Sequence, residues 1–122
     1  MTIPFQRIFC EFTEKTENLV VVLYAGVYED IVNGKNHHQH KEIETHLDLV
    51  KKAIEDPDIV LQDSDYKNRR HYFVYFVGDE VYGEAYMKVV VEIPRFMSAN
   101  VVTAYFLKNI KISEKPIWKK SN

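Results

Sequence analysis

The amino-acid sequence predicts an α+β fold in which N-terminal helices pack on one face of a four- to five-stranded antiparallel sheet. Two observations carry this expectation. Before Pro57 the longest patterned segment repeats its apolar residues at helical spacing; after Pro57 the pattern changes to period two and stays there. The segments after Pro57 are joined by connections too short for parallel crossovers. A strand meander with its helices gathered on one side follows.

In chain order, residues 19–23 (LVVVL) form a β-branched run that reads as a buried strand. AGVYEDIVNGKN then reads as a short helical turn ended by Asn33-Gly34. The clearest helix covers residues 40–55, where Ile43, Leu47, Val50 and Ile54 recur at intervals of four, three and four and make one apolar stripe. His40 and His46 flank that stripe at about 60° on either side, given 100° per residue. Asp56-Pro57-Asp58 stops the helix, because proline disfavours helical geometry in the residue before it. Residues 59–61, 72–77, 86–93 and 101–107 read as strands, with turns at YKNRR, VGDEVYGE and PRFMSAN. Alternation places Met87, Val89, Val91 and Ile93 with Val102, Ala104 and Phe106 under the helices. Val101, Thr103 and Tyr105 share the opposite face of their strand, and Lys88, Thr103 and Tyr105 project from the face opposite the helices.

The chain has 122 residues, the length of one domain, 1–122, and is 46% hydrophobic and 13% aromatic, enough for a packed interior. Cys10 is the single cysteine and has no internal disulfide partner. No apolar run approaches the ~20 residues that span a bilayer. The start, MTIPFQRIFCEF, lacks a continuous apolar core of the signal-peptide kind. A soluble, cytoplasmic protein with no membrane partner is expected. The net charge of −2 conceals an asymmetry: residues 1–66 carry thirteen acidic and six basic side chains, residues 67–122 five acidic and ten basic. The basic half suits phosphate, while the near-neutral total argues against indiscriminate nucleic-acid binding.

HHQHKEIETH, residues 37–46, holds four of the five histidines. Zinc wants three or four ligands in defined geometry, and the only cysteine is far away in sequence, so no metal is expected. His37 and His38 read as loop residues.

His40-Lys41-Glu42 at a helix start is followed by AIEDPDIV, RRHYFVYF, KVVVEI, VVTAY and a lysine-rich tail containing Ile117-Trp118. This order, over residues 40–118, resembles the phage-associated barnase/EndoU/colicin/RelE-like (BECR) nuclease family. Lys41 stands where that family usually has proline, and YEDI stands where a His-Ile is common. The resemblance implies an RNase-toxin-like fold and a metal-independent endoribonuclease-like toxin or effector domain. Such a domain cleaves RNA through the 2′-hydroxyl and leaves a cyclic phosphate, with no cofactor. RNA is then the expected partner, together with a cognate inhibitor protein.

Histidine suits the proton transfers of this chemistry, and cations hold the charge that builds on the phosphorane. His40, Arg70, Lys88 and Thr103 are the expected catalytic set, His40 being the general base. Glu42, Arg69, His71 and Tyr105 are expected to contact substrate: Glu42 beside the histidine, Arg69 and His71 on phosphate, Tyr105 on a base. The alternative is a catalytically inactive RNA- or protein-binding module on the same fold. A third reading is a domain that only mediates protein association through its Tyr/Phe-rich strands.

Overall fold

The structure is a computed structural model that describes residues 7–34, 39–78, 83–110 and 116–121. Its strands are β1 (Ile8–Thr13), β2 (Val20–Tyr24), β3 (Ile59–Gln62), β4 (Arg69–Val77), β5 (Glu84–Glu92), β6 (Ala99–Leu107) and β7 (Pro116–Lys119). Its helices are α1 (Ala25–Asn33), α2 (Glu42–Thr45) and α3 (Leu47–Glu55). The strands form one seven-stranded sheet in the order β1-β2-β6-β5-β4-β3-β7. All neighbours are antiparallel except β2 and β6, which run parallel.

This overturns the expected fold of N-terminal helices packed on one face of a four- to five-stranded antiparallel sheet. Two edge strands were absent from that expectation. β1 is IFCEFT, with no clean alternation, and β7 is PIWK, four residues in a lysine-rich tail. The helices lie between strands rather than ahead of them. The short-connection argument applied only to consecutive strands; β2 and β6 are separated by three helices and three strands, ample chain for a parallel pairing.

α1 ends where Gly34 takes a left-handed conformation (φ 66°) and donates its N–H to the Asp30 carbonyl at 2.8 Å. The continuous helix expected over 40–55 is broken at His46 (φ −130°, ψ 36°). In an unbroken helix the His46 N–H would bond the Glu42 carbonyl. Instead that carbonyl takes the His46 ring at Nδ1 (2.8 Å), while the His46 N–H turns to the Ile43 carbonyl at 3.2 Å. His40 therefore precedes α2 and lies outside the helix.

Ile43, Val50, Ala53 and Ile54 bury against Val21, Leu23, Val60, Tyr72, Val74, Met87, Val89, Val91, Val101 and Ala104. A bulge sets which β6 residues reach this core. Val90 opposes Thr103 but Val91 opposes Val101, so Val102 is the extra residue. Strict alternation assigned Val101 to the opposite face; the bulge turns it onto the helices, where it is 1% exposed. Ile54 is fully buried at the centre of the helix–sheet contact. Ile54→Ala is expected to cost about 2–5 kcal/mol, read from the shift of the urea midpoint. A loss below about 1 kcal/mol would show that α3 does not pack as described.

The β1–β2 hairpin is fastened to β4 although β6 and β5 stand between them in the sheet. Glu14, in the hairpin turn and 0% exposed, accepts hydrogen bonds from the Tyr72 and Thr16 hydroxyls and from the Glu17 N–H (2.7 Å). The turn also donates the Lys15 N–H to the Ile54 carbonyl at 3.1 Å. No helix among the described residues is long and apolar enough to cross a membrane.

Candidate active site

β2 pairs with β6 at Ala99 and Asn100, and among the described residues no strand continues that pairing along the rest of β6. The segment entering α2 fills the space. The His40 N–H donates to the Ile31 carbonyl at 2.9 Å, and Lys41 Nζ donates to Asn33 Oδ1 at 3.1 Å, which pin this segment to the end of α1. Glu42 Oε2 accepts the Phe106 N–H over a long 3.5 Å. A carboxylate thus meets a backbone donor on the edge of β6.

This placement sets His40 on the sheet. Its ring stacks on Tyr105 with centroids 5.3 Å apart, and its Nδ1 is 3.6 Å from Glu42 Oε2. Lys88 Nζ lies 5.4 Å from the centre of the Tyr105 ring and 5.8 Å from that of Phe73. Phe73, Lys88 and Tyr105 are directly opposed on β4, β5 and β6, so the row Phe73–Lys88–Tyr105–His40–Glu42 runs across the face away from the main core. Thr103 is on the same face, two residues before Tyr105 and opposite Val90. Phe73, Leu61 and Val90 are nevertheless buried on this face. Part of that cover is the Lys88 side chain lying over Phe73.

The other expected residues are placed differently. His71 shares this face but is 6% exposed, with Nε2 2.7 Å from Asp63 Oδ2. Arg69, at the start of β4, has its guanidinium 4.3 Å from the Tyr66 ring and Nη2 3.9 Å from Glu92 Oε2. Its Nε is a buried nitrogen with no hydrogen-bond partner among the described residues. Arg70 points to the helix side. Its Nη1 lies 3.0 Å from Thr16 Oγ1, 3.2 Å from Glu17 Oε2 and 3.5 Å from Glu14 Oε2. The structure thus brings together His40, Glu42, Lys88, Tyr105 and Thr103, and sets Arg69, Arg70 and His71 in contacts of their own.

Sequence reasoning missed Asp63, Glu14 and Tyr72, which hold these other residues. Only Asp63 carried a local signal: in DSD its Oδ1 accepts the N–H groups of Asp65 (2.8 Å) and Tyr66 (2.9 Å), a turn typical of aspartate. Burial raises the Asp63 pKa, but those two N–H groups and His71 outweigh it and hold the carboxyl below its ordinary value. A carboxyl depressed on folding stabilises the protein above its unfolded pKa, and that contribution is lost as pH falls through the folded value. Asp63→Asn keeps an acceptor for the turn and removes the charge. The melting-temperature gap between wild type and this variant is expected to be open above the ordinary carboxylate range and to close as pH falls below it. A gap independent of pH would remove the charge from this account.

Among the described residues no group of three or more His, Cys, Asp or Glu side chains is arranged to hold a metal ion. His37 and His38, expected in a loop, lie outside the described residues. A surface hollow of about 430 Å³ bounded by Gly26, Glu29, Asp30 and Asn33 lies on α1 and includes none of the expected catalytic or substrate-contacting residues. No family model, curated protein or solved structure matches the chain.

Chemically, the row offers an imidazole with a carboxylate 3.6 Å from its Nδ1, a primary ammonium, and a phenol. The hydroxyl of Thr103 adds a short polar donor beside them.

Proposed function

We propose that the chain is a metal-independent endoribonuclease-like toxin or effector domain that cleaves RNA through the ribose 2′-hydroxyl. The observation that carries this reading is the convergence of His40, Glu42, Tyr105 and Lys88 in one row of contacts, with Thr103 on the same face. The motif order over residues 40–118, which resembles the barnase/EndoU/colicin/RelE-like nucleases, supports it independently of geometry.

In the proposed reaction His40 takes the proton of the 2′-hydroxyl as that oxygen attacks the adjacent phosphorus. Lys88 and the Thr103 hydroxyl face the charge gathering on the non-bridging oxygens. The bond from phosphorus to the 5′-oxygen then breaks, and that oxygen takes a proton from the Tyr105 phenol or from water. The products are a 2′,3′-cyclic phosphate and a 5′-hydroxyl. Glu42 positions the imidazole.

One observation favours a second reading, a catalytically inactive RNA-binding module. Arg70, expected to clamp phosphate, is engaged by Glu14 and Glu17 on the other side of the sheet. Incubating the protein with total RNA in EDTA and analysing the new ends separates the two. Cyclic-phosphate ends from wild type but not from His40→Ala meet the nuclease expectation. Intact RNA that is bound with salt-dependent affinity moves the assignment to the binding module.

A further inference from the structure

One register step from the candidate site lies a second aromatic feature that the proposed chemistry does not use. Tyr75 on β4 opposes Tyr86 on β5, and this pair is on the same face as the Phe73–Lys88–Tyr105 row, two residues further along each strand. The rings meet edge to face, 5.6 Å between centroids and 66° between planes. Tyr75 is 41% exposed, an unusual position for an aromatic ring in a nine-residue interior strand. Its backbone is fixed, since its N–H donates to Asp58 Oδ2 at 2.7 Å. The Tyr75 phenol bonds Glu84, and this bond first, then burial, raises its pKa. Both features hold the ring as a neutral, oriented surface.

We infer that Tyr75 and Tyr86 form a base-stacking subsite one nucleotide away from the His40–Lys88 centre, and that the substrate is therefore single-stranded RNA. The inference rests on the nuclease reading for the location of the scissile phosphate. Residues two apart on one strand face are separated by about 6.8 Å, within the reach of a single extended nucleotide. A phosphate held at Lys88 then places the neighbouring base over the tyrosine corner, where one ring offers its face and the other its edge. Glu84, two residues before Tyr86, is on the same face of β5 and bonds Tyr75. Its negative charge disfavours a further phosphate there and suits an uncharged base as the occupant. A duplex keeps its bases stacked and paired, so it cannot deliver one to this corner.

The test measures binding by fluorescence anisotropy of a short 2′-deoxy oligonucleotide, which cannot be cleaved through a 2′-hydroxyl. The same strand without bases and the annealed duplex are measured beside it. Wild type is expected to bind the intact single strand at least about tenfold more tightly than either comparison. Tyr75→Ala and Tyr86→Ala are each expected to weaken it by about five- to a hundredfold, while Tyr75→Phe and Tyr86→Phe retain most of the affinity because the ring remains. Thermal melting of each variant guards against unfolding, and the base-free strand on wild type needs no variant.

Equal binding of intact and base-free strands, or undiminished binding by the alanine variants, overturns the subsite, whether or not ribo-oligonucleotides are cut. Base-dependent binding through both rings, with ribo-oligonucleotides left intact by wild type, keeps the subsite and removes the nuclease reading. Failure to bind any of the strands overturns the subsite, and cleavage of ribo-oligonucleotides by wild type decides the nuclease reading separately.

Discussion

His40→Ala is expected to lower the rate of RNA cleavage by about 10²–10⁴-fold, the usual contribution of a positioned general base. The loss should appear in kcat with little change in affinity, because the imidazole acts on a proton in transit while Lys88 and the aromatic side chains hold the strand. The His40 side chain is 25% exposed and its structural bond to Ile31 comes from the backbone N–H, so alanine leaves the anchoring of the segment intact. Glu42→Gln is the informative companion. Its effect should be smaller, and its pH–rate profile should differ from wild type, since glutamine can orient the ring but carries no charge. Activity of His40→Ala equal to wild type, or products without cyclic phosphate, would exclude His40 as the base.

Glu14→Ala should be among the most destabilising single substitutions in the chain, at about 3–5 kcal/mol. The carboxylate is fully buried and serves three donors besides facing the Arg70 guanidinium. Removing it leaves the Tyr72 hydroxyl without its acceptor and weakens the tie between the first hairpin and β4, which Arg70 still holds through Thr16 and Glu17. Burial first, and then the Glu14 carboxylate, push the Tyr72 phenol well above its ordinary pKa, so Tyr72 is the donor in that bond. Burial opposes the charge on Arg70, but Tyr72 and Glu17 outweigh it and raise its pKa. Arg70 retains Glu17 in the variant, which favours the lower end of the range. With about 5–15 kcal/mol separating folded from unfolded states in typical domains, such a loss is a large fraction of the total. Urea unfolding measures it, and a double-mutant cycle with Tyr72→Phe isolates the hydroxyl–carboxylate coupling. A cost below about 1 kcal/mol would mean that the hairpin is held by other contacts.

The arginine pair shows why the candidate site was only partly legible. YKNRR reads as a turn, and in a turn two adjacent arginines can serve one phosphate. The strand instead begins at Arg69, and successive residues of a strand face opposite sides. Arg69 and Arg70 are separated by that alternation alone. Lys88, Thr103 and Tyr105 fared otherwise: their strands were read from alternating residues, and all three lie on the face anticipated for them. For Val101 the same rule failed, because one bulge shifts the parity of everything before it on β6.

The sequence by itself determined the helical stripe that became α3, the Gly34 end of α1, the run that became β2, and the alternation of β4, β5 and β6. Each depends on neighbours a few residues apart, where periodicity and turn chemistry act. Only the tertiary structure decided the parallel pairing of β2 with β6, the edge strands β1 and β7, and the fastening of Glu14 to Tyr72 across two intervening strands. It also set His40 against Tyr105 by laying the segment before α2 along the edge of β6, where Glu42 accepts the Phe106 N–H. These arrangements depend on burial and hydrogen-bond satisfaction between groups far apart in the chain. Local pattern does not encode them, because the cost of an unpaired strand edge or a buried carboxylate exists only once the rest of the sheet has assembled around it.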